Sequence, residues 1–151
     1  MNMDDKSIAN MAVLAGEIML RSGAETYRVE DTIKHILDTA CTACGDASAT
    51  GRSDNADAVR TESLVMLTGI IVTIERLGQE AVTVMRRVHD RGTNMHRIVE
   101  VNEISRKYCA GELPAEETWK KLKSIKGRQY TVWMYNVATV LVPAGFAPLF
   151  G

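Results

Sequence analysis

Four groups of residues in this chain have the types and spacing to do chemistry. Cys41-Thr-Ala-Cys44, with His35 six residues before it, is the start of a redox pair or a zinc set. His89-Asp90, followed by His96, has the parts for acid–base work. Ser22-Gly-Ala-Glu-Thr-Tyr-Arg-Val-Glu30 gathers Glu25, Arg28 and Glu30 around a helix start, where an anionic or zwitterionic group can bind. Asn94, Asn102, Ser105 and Arg106 form a fourth polar set. Asn102 and Arg106 lie four apart on one helical face, and Arg106 can grip a carboxylate at two points.

Each group also has a plainer reading. Reactive cysteine pairs sit at helix N-termini, whereas Cys41 and Cys44 fall at a helix end, and no fourth metal ligand is evident. The two cysteines therefore read as structural, and no metal is assigned. His89, Asp90 and His96 flank a turn without a nucleophile in a strand–turn–helix setting, a Gly-rich phosphate loop or a zinc-protease pattern, so they read as solvated turn residues. No catalytic residue is assigned, and the chain reads as neither an enzyme nor a cofactor protein. The Ser22–Glu30 string also fits a capped helix with a local ion pair worth about 0.5 kcal/mol. Arg106 can equally tie its helix to Glu25 or Glu30.

The elements that must hold these groups follow from periodicity. Ile8, Met11, Leu14, Ala15 and Ile18 give a helix over Ser7–Leu20 one apolar face, ended by Ser22-Gly23. A second helix starts near Thr26 and carries Val29, Ile33, Ile36, Leu37 and Ala40 before ending by Gly45. The two should pack as an antiparallel pair. Asp46 to Thr61 is rich in small polar residues and reads as a loop. Strands are expected at Ser63–Leu67, Ile70–Glu75 and Ala81–Val88, with turns at Thr68-Gly69 and Arg76–Gln79. Helices return at Asn94, closed by Gly111, and after Pro114, closed by Gly127. The fold class is α+β: a helical hairpin, a three-stranded antiparallel meander and two further helices, one layer on another.

The 151 residues are one domain's worth, with 46% hydrophobic and 25% charged residues. The net charge of -1, without a basic stripe, argues against nucleic acid as a partner. The acidic start lacks an apolar signal segment, and three cysteines suit a reducing compartment. Tyr130–Gly151 holds no charged residue and no His, and follows Lys120, Lys121, Lys123, Lys126 and Arg128. About 20 such residues suffice to cross a bilayer, and the basic flank favours the cytoplasm. The reading is a cytoplasmic domain at 1–128 and a transmembrane helix at 129–151. Pro143, Gly145 and Pro148 argue that its second half is bent.

Several strings together resemble the threonine/serine exporter family: Ala15-Gly16-Glu17, Ser22–Glu30, Thr68-Gly69-Ile70, Arg91-Gly-Thr-Asn-Met-His-Arg-Ile98, Val101-Asn-Glu-Ile-Ser-Arg106 and Phe146–Gly151. The resemblance implies a bacterial inner-membrane secondary transporter with a cytoplasmic N-terminal domain. It implies export of small amino acids such as threonine and serine by a proton-driven antiporter, or of dicarboxylates in two-component relatives. A cytoplasmic ligand-binding or regulatory module is the alternative. The implied substrate-binding or coupling residues are Ser22, Gly23, Glu25, Arg28, Glu30, Arg91, Asn94, Asn102 and Arg106. Two features depart from the family: the Ala47–Arg60 loop is longer, and the chain ends where relatives continue through more membrane helices. One helix cannot enclose a transport path. The implied partners are therefore the bilayer, a small amino acid or carboxylate, and further membrane helices from a missing part or another chain, with a homo-oligomer also open.

Overall fold

The computed structural model describes residues 4–43, 59–76, 78–125 and 132–150. Its elements are α1 (Asp5–Arg21), α2 (Thr26–Ala43), β1 (Arg60–Met66), β2 (Gly69–Glu75), β3 (Val82–Arg87), α3 (Met95–Cys109), α4 (Ala115–Ser124) and α5 (Val132–Phe150). The class is α+β, as expected, with five helices and one antiparallel sheet in the order β1-β2-β3.

The layering differs from expectation. α1 packs against α2, β2 and β3 on one side and against α3 and α4 on the other. The α1–α2 pair is thus a middle layer between the sheet and the α3–α4 pair, giving three layers rather than two. A helix in that place must be apolar around most of its circumference. α1 buries Ile8, Ala9, Met11, Ala12, Val13, Ala15, Gly16, Met19 and Leu20, far more than one stripe. Leu14 and Ile18, expected on the core face, are only partly buried, because they lie beside an open cleft. Fully burying Met11, Met19 and Leu20 stabilises the fold by about 1.5–3 kcal/mol each.

Small residues let the middle layer close. A Cβ on Gly16 would stand 2.6 Å from Ile33 Cδ1 and 3.0 Å from Ile70 Cδ1. The missing side chain at Gly16 therefore leaves room for Ile33 of α2 and Ile70 of β2 against α1.

The sheet presents Ile70, Val72 and Ile74 of β2 to the helices, as the period of two requires. Its first turn is not at Thr68-Gly69. Met66 pairs with Gly69, so Leu67 and Thr68 form the two-residue turn and Gly69 opens β2. Gly69 also pairs with Arg87, where an added Cβ would approach Arg86 O to 3.4 Å. Arg60 and Thr61, read as loop, belong to β1 because they pair with Glu75 and Ile74. Val59, also read as loop, is buried in the core, and residues 46–58 of the expected loop, like Cys44 at the expected end of the second helix, lie outside the described residues.

Helix ends follow local chemistry. The Asn94 side chain accepts from Arg97 N at 3.2 Å and so caps α3. At the other end Gly111, at φ 76°, takes the left-handed turn that returns Glu112 N to Lys107 O at 2.9 Å. Pro114 stands one position earlier than expected, as the N-cap of α4 rather than in its first turn.

The C-terminal expectation needs correction. A helix is present, but among the described residues no helix is long and apolar enough to cross a membrane. α5 has 19 residues, about 28 Å at 1.5 Å per residue, against a core of about 30 Å. Asn136, Thr139, Pro143 and Pro148 lower its apolar density, although it continues as one helix through Pro143. The expected boundary at 128–129 lies outside the described residues.

Candidate functional site

The nine residues singled out from the sequence separate into three sets. The first is a clasp between two loops. Gly92 N donates to Arg21 O at 2.8 Å and Asn94 N to Ser22 O at 2.9 Å, joining the α1–α2 turn to the β3–α3 connection. Arg91 adds Nε to Leu20 O at 3.3 Å and Nη2 to Ala24 O at 3.5 Å. A guanidinium there also meets the negative end of the α1 dipole. Ser22 is fully buried, and its hydroxyl donates to Ile18 O at 2.6 Å. Gly23 has φ 89°, and a Cβ on it would meet Gly92 O at 2.9 Å. Ser22, Gly23, Arg91 and Asn94 thus share one place, and the polar side chains of Ser22, Arg91 and Asn94 are spent on backbone groups of α1, the α1–α2 turn and α3.

The second set lines a groove of about 410 Å³ between α2 and α3, walled by Arg28, Asp31, Thr32, His35, Asn102, Ser105, Arg106 and Cys109. Thr32 and Ser105 form its buried floor. Their hydroxyls return to Arg28 O at 3.0 Å and Asn102 O at 3.0 Å. His35 Nδ1 lies 2.7 Å from Asp31 O and 3.5 Å from Asp31 Oδ1. Cys109 Sγ approaches His35 O at 3.6 Å.

Glu25 and Glu30 are the third set, exposed and lining neither this groove nor the clasp. The local ion pair expected for the Ser22–Glu30 string does not form among the described residues, and neither does a tie from Arg106 to Glu25 or Glu30. Arg28 and Arg106 line the groove instead.

A larger cleft of about 980 Å³ lies beside the clasp, bounded by α1, the 90–94 connection and the ends of α3 and α4. Glu17 is its electrostatic centre: Arg21 Nη1 stands 3.3 Å and Arg86 Nε 3.6 Å from the carboxylate, and Arg21 also reaches Asp90 at 3.9 Å. Arg97 lines the same cleft, and its buried Nε has no hydrogen-bond partner among the described residues.

The alternative chemistries gain no geometry. Cys41 is buried, His89 and Asp90 are exposed, and His96 faces Glu100 at 3.9 Å on its own helix. Among the described residues no three His, Cys, Asp or Glu side chains are grouped to hold a metal ion.

Sequence reasoning missed the partners that complete these sites. Arg28, Asp31, Thr32 and His35 stand at i, i+3, i+4 and i+7 on α2, and so do Asn102, Ser105, Arg106 and Cys109 on α3. Two polar stripes of matching period were legible, but single residues drew the attention. Arg97 and Glu17 lie within the strings that carry the resemblance but were assigned no role, since their roles depend on which loops meet.

Comparison with known proteins adds the following. The family described as "Putative threonine/serine exporter" matches residues 10–151. The "Probable succinate transporter subunit YjjP" of Escherichia coli (strain K12) is 26% identical over 144 residues, covering 95% of this chain and 50% of that protein. The chain therefore spans about half the length of this curated relative. No solved structure matches.

Proposed function

Because the chain belongs to the threonine/serine exporter family, we propose that it is the α+β domain and first apolar helix of a membrane transporter. The observation that carries this is α5. It has no charged residue, and Trp133, Val140, Leu141, Val142 and Phe146 are each more than half exposed. Among the described residues it packs against no other element. A helix apolar on all sides needs an apolar environment on all sides.

In this reading further apolar helices, from more of the same polypeptide or from a partner, surround α5 and complete the transport path. Transport sites of this kind lie between helices, so this chain alone encloses none. The relative's description as a subunit supports a two-part assembly. The cargo is a small amino acid of the threonine or serine type, or a dicarboxylate in keeping with that relative's name. The α+β domain faces the cytoplasm, with the basic residues before α5 at the membrane surface. The role is transport, driven by an ion gradient such as that of protons, rather than covalent catalysis.

Efflux tests the reading. Cells lacking this chain and loaded with threonine, serine or succinate should export at least one of them more slowly, with recovery when the gene is restored. Unchanged efflux of all three would overturn the proposal.

A further inference from the structure

We infer that the groove between α2 and α3 is a binding site for a small dicarboxylate, held by Arg28, Asn102 and Arg106. Helices that meet in water normally do so through apolar stripes at i, i+3, i+4 and i+7. Here polar residues repeat at those spacings beside the buried Ile98, Val101 and Tyr108 of α3 and the buried Val29, Ile33 and Ile36 of α2, and an open groove of about 410 Å³ lies between the two helices.

Hydrogen-bond accounting then separates the spent groups from the free ones. Thr32 and Ser105 are satisfied by their own helices, and Asp31 and His35 face each other. The guanidiniums of Arg28 and Arg106 and the amide of Asn102 have no hydrogen bond or ion pair among the described residues. They are the donors the groove offers.

Electrostatics points the same way. Arg28 lies in the first turn of α2, just after Glu25, and Asp31 is the one carboxylate in the groove's lining. Against that carboxylate stand the guanidiniums of Arg28 and Arg106, so the lining carries an excess of positive charge that an anion offsets. Two guanidiniums, each able to hold one carboxylate at two points, fit a ligand with two carboxylates better than one with a single charge. Asn102, one turn before Arg106 on the same face, supplies an amide donor for a remaining oxygen. A four-carbon dicarboxylate is small against the groove's volume.

The site is in the α+β domain, away from α5, so it is a sensing or delivery site rather than the path itself. That consequence rests on the transporter reading; the binding does not.

Calorimetry on the 151-residue chain, in whatever detergent keeps it dispersed, provides the test, with succinate, butyrate and inorganic phosphate as probes. Succinate should bind at one site per chain, at least about tenfold more tightly than butyrate or phosphate. Arg28→Gln and Arg106→Gln should each weaken succinate by about tenfold or more, with unchanged helix content by circular dichroism. Both side chains are exposed, so the variants test binding rather than folding. Absence of succinate binding, equal binding of phosphate, or full affinity in the double variant would each overturn the inference. Failure here with normal efflux would leave the transporter reading standing, and binding with unchanged efflux would do the reverse.

Discussion

Residues in the clasp answer to backbone geometry before they answer to any ligand. Gly23 needs its positive φ to turn α1 into α2, and it also lies where a Cβ would strike Gly92 O. Gly23→Ala should therefore cost about 1–3 kcal/mol, read as a lower midpoint in urea. Gly92 itself meets nothing within 4 Å, so Gly92→Ala should leave the midpoint unchanged or raise it slightly. Asp38 gives a pH-dependent case. Its buried Oδ1 has no partner among the described residues, and desolvation raises its pKa despite Lys34 and His35 nearby. A raised folded pKa means that the proton favours the folded state. The contribution is full below about pH 4 and is lost as pH rises through the folded pKa. Asp38→Asn should thus stabilise the protein by about 0.5–1 kcal/mol at pH 7, and the gain should vanish below about pH 4 in urea titrations at both pH values. The Ser22-Gly23 and Arg91–Asn94 strings were conspicuous in the sequence, but it could not say that they touch, because residues about 70 apart meet only through the fold.

Elements were more legible than their arrangement. Every helix and strand announced itself through period and punctuation, and the Asn94 cap and Gly111 stop fell where chemistry placed them. The middle position of α1 did not, although Ala9, Ala12, Ala15 and Gly16 carried it: small residues on several faces signal close neighbours on several sides. The hairpin turn slipped by one residue because Gly69 serves approach between strands rather than the turn. One long-range tie also escaped notice. Arg76 Nε meets Asp5 Oδ2 at 2.7 Å, with both side chains about one-sixth exposed, joining the end of β2 to the start of α1. Removing Asp5 takes a shielded carboxylate away from the Arg76 guanidinium. Asp5→Ala should cost about 1–3 kcal/mol by thermal or urea unfolding. The exposed Lys121–Glu117 pair on α4 should be worth less than about 0.5 kcal/mol by the same measurement.

At the scale of the whole molecule, two unlike surfaces are joined in one chain. A three-layer domain with its own core and charged exterior leads into a helix that has no charge and no packing partner among the described elements. That contrast was readable from composition alone, since 130–151 differs from the rest in its lack of ionisable groups. Among the described residues, however, no helix is long and apolar enough to cross a membrane. The transporter reading makes α5 a contact to other apolar helices. Its central claim is that the exposed apolar surface of α5 commits the protein to a membrane assembly, and fractionation of native cells tests this most directly. The chain should sediment with the membranes, resist extraction by high salt and be released by detergent. Substituting Val140, Leu141, Val142 and Phe146 with Ser should move it to the supernatant with the α+β domain still folded. Full recovery of the unaltered chain in the supernatant without detergent would contradict the account.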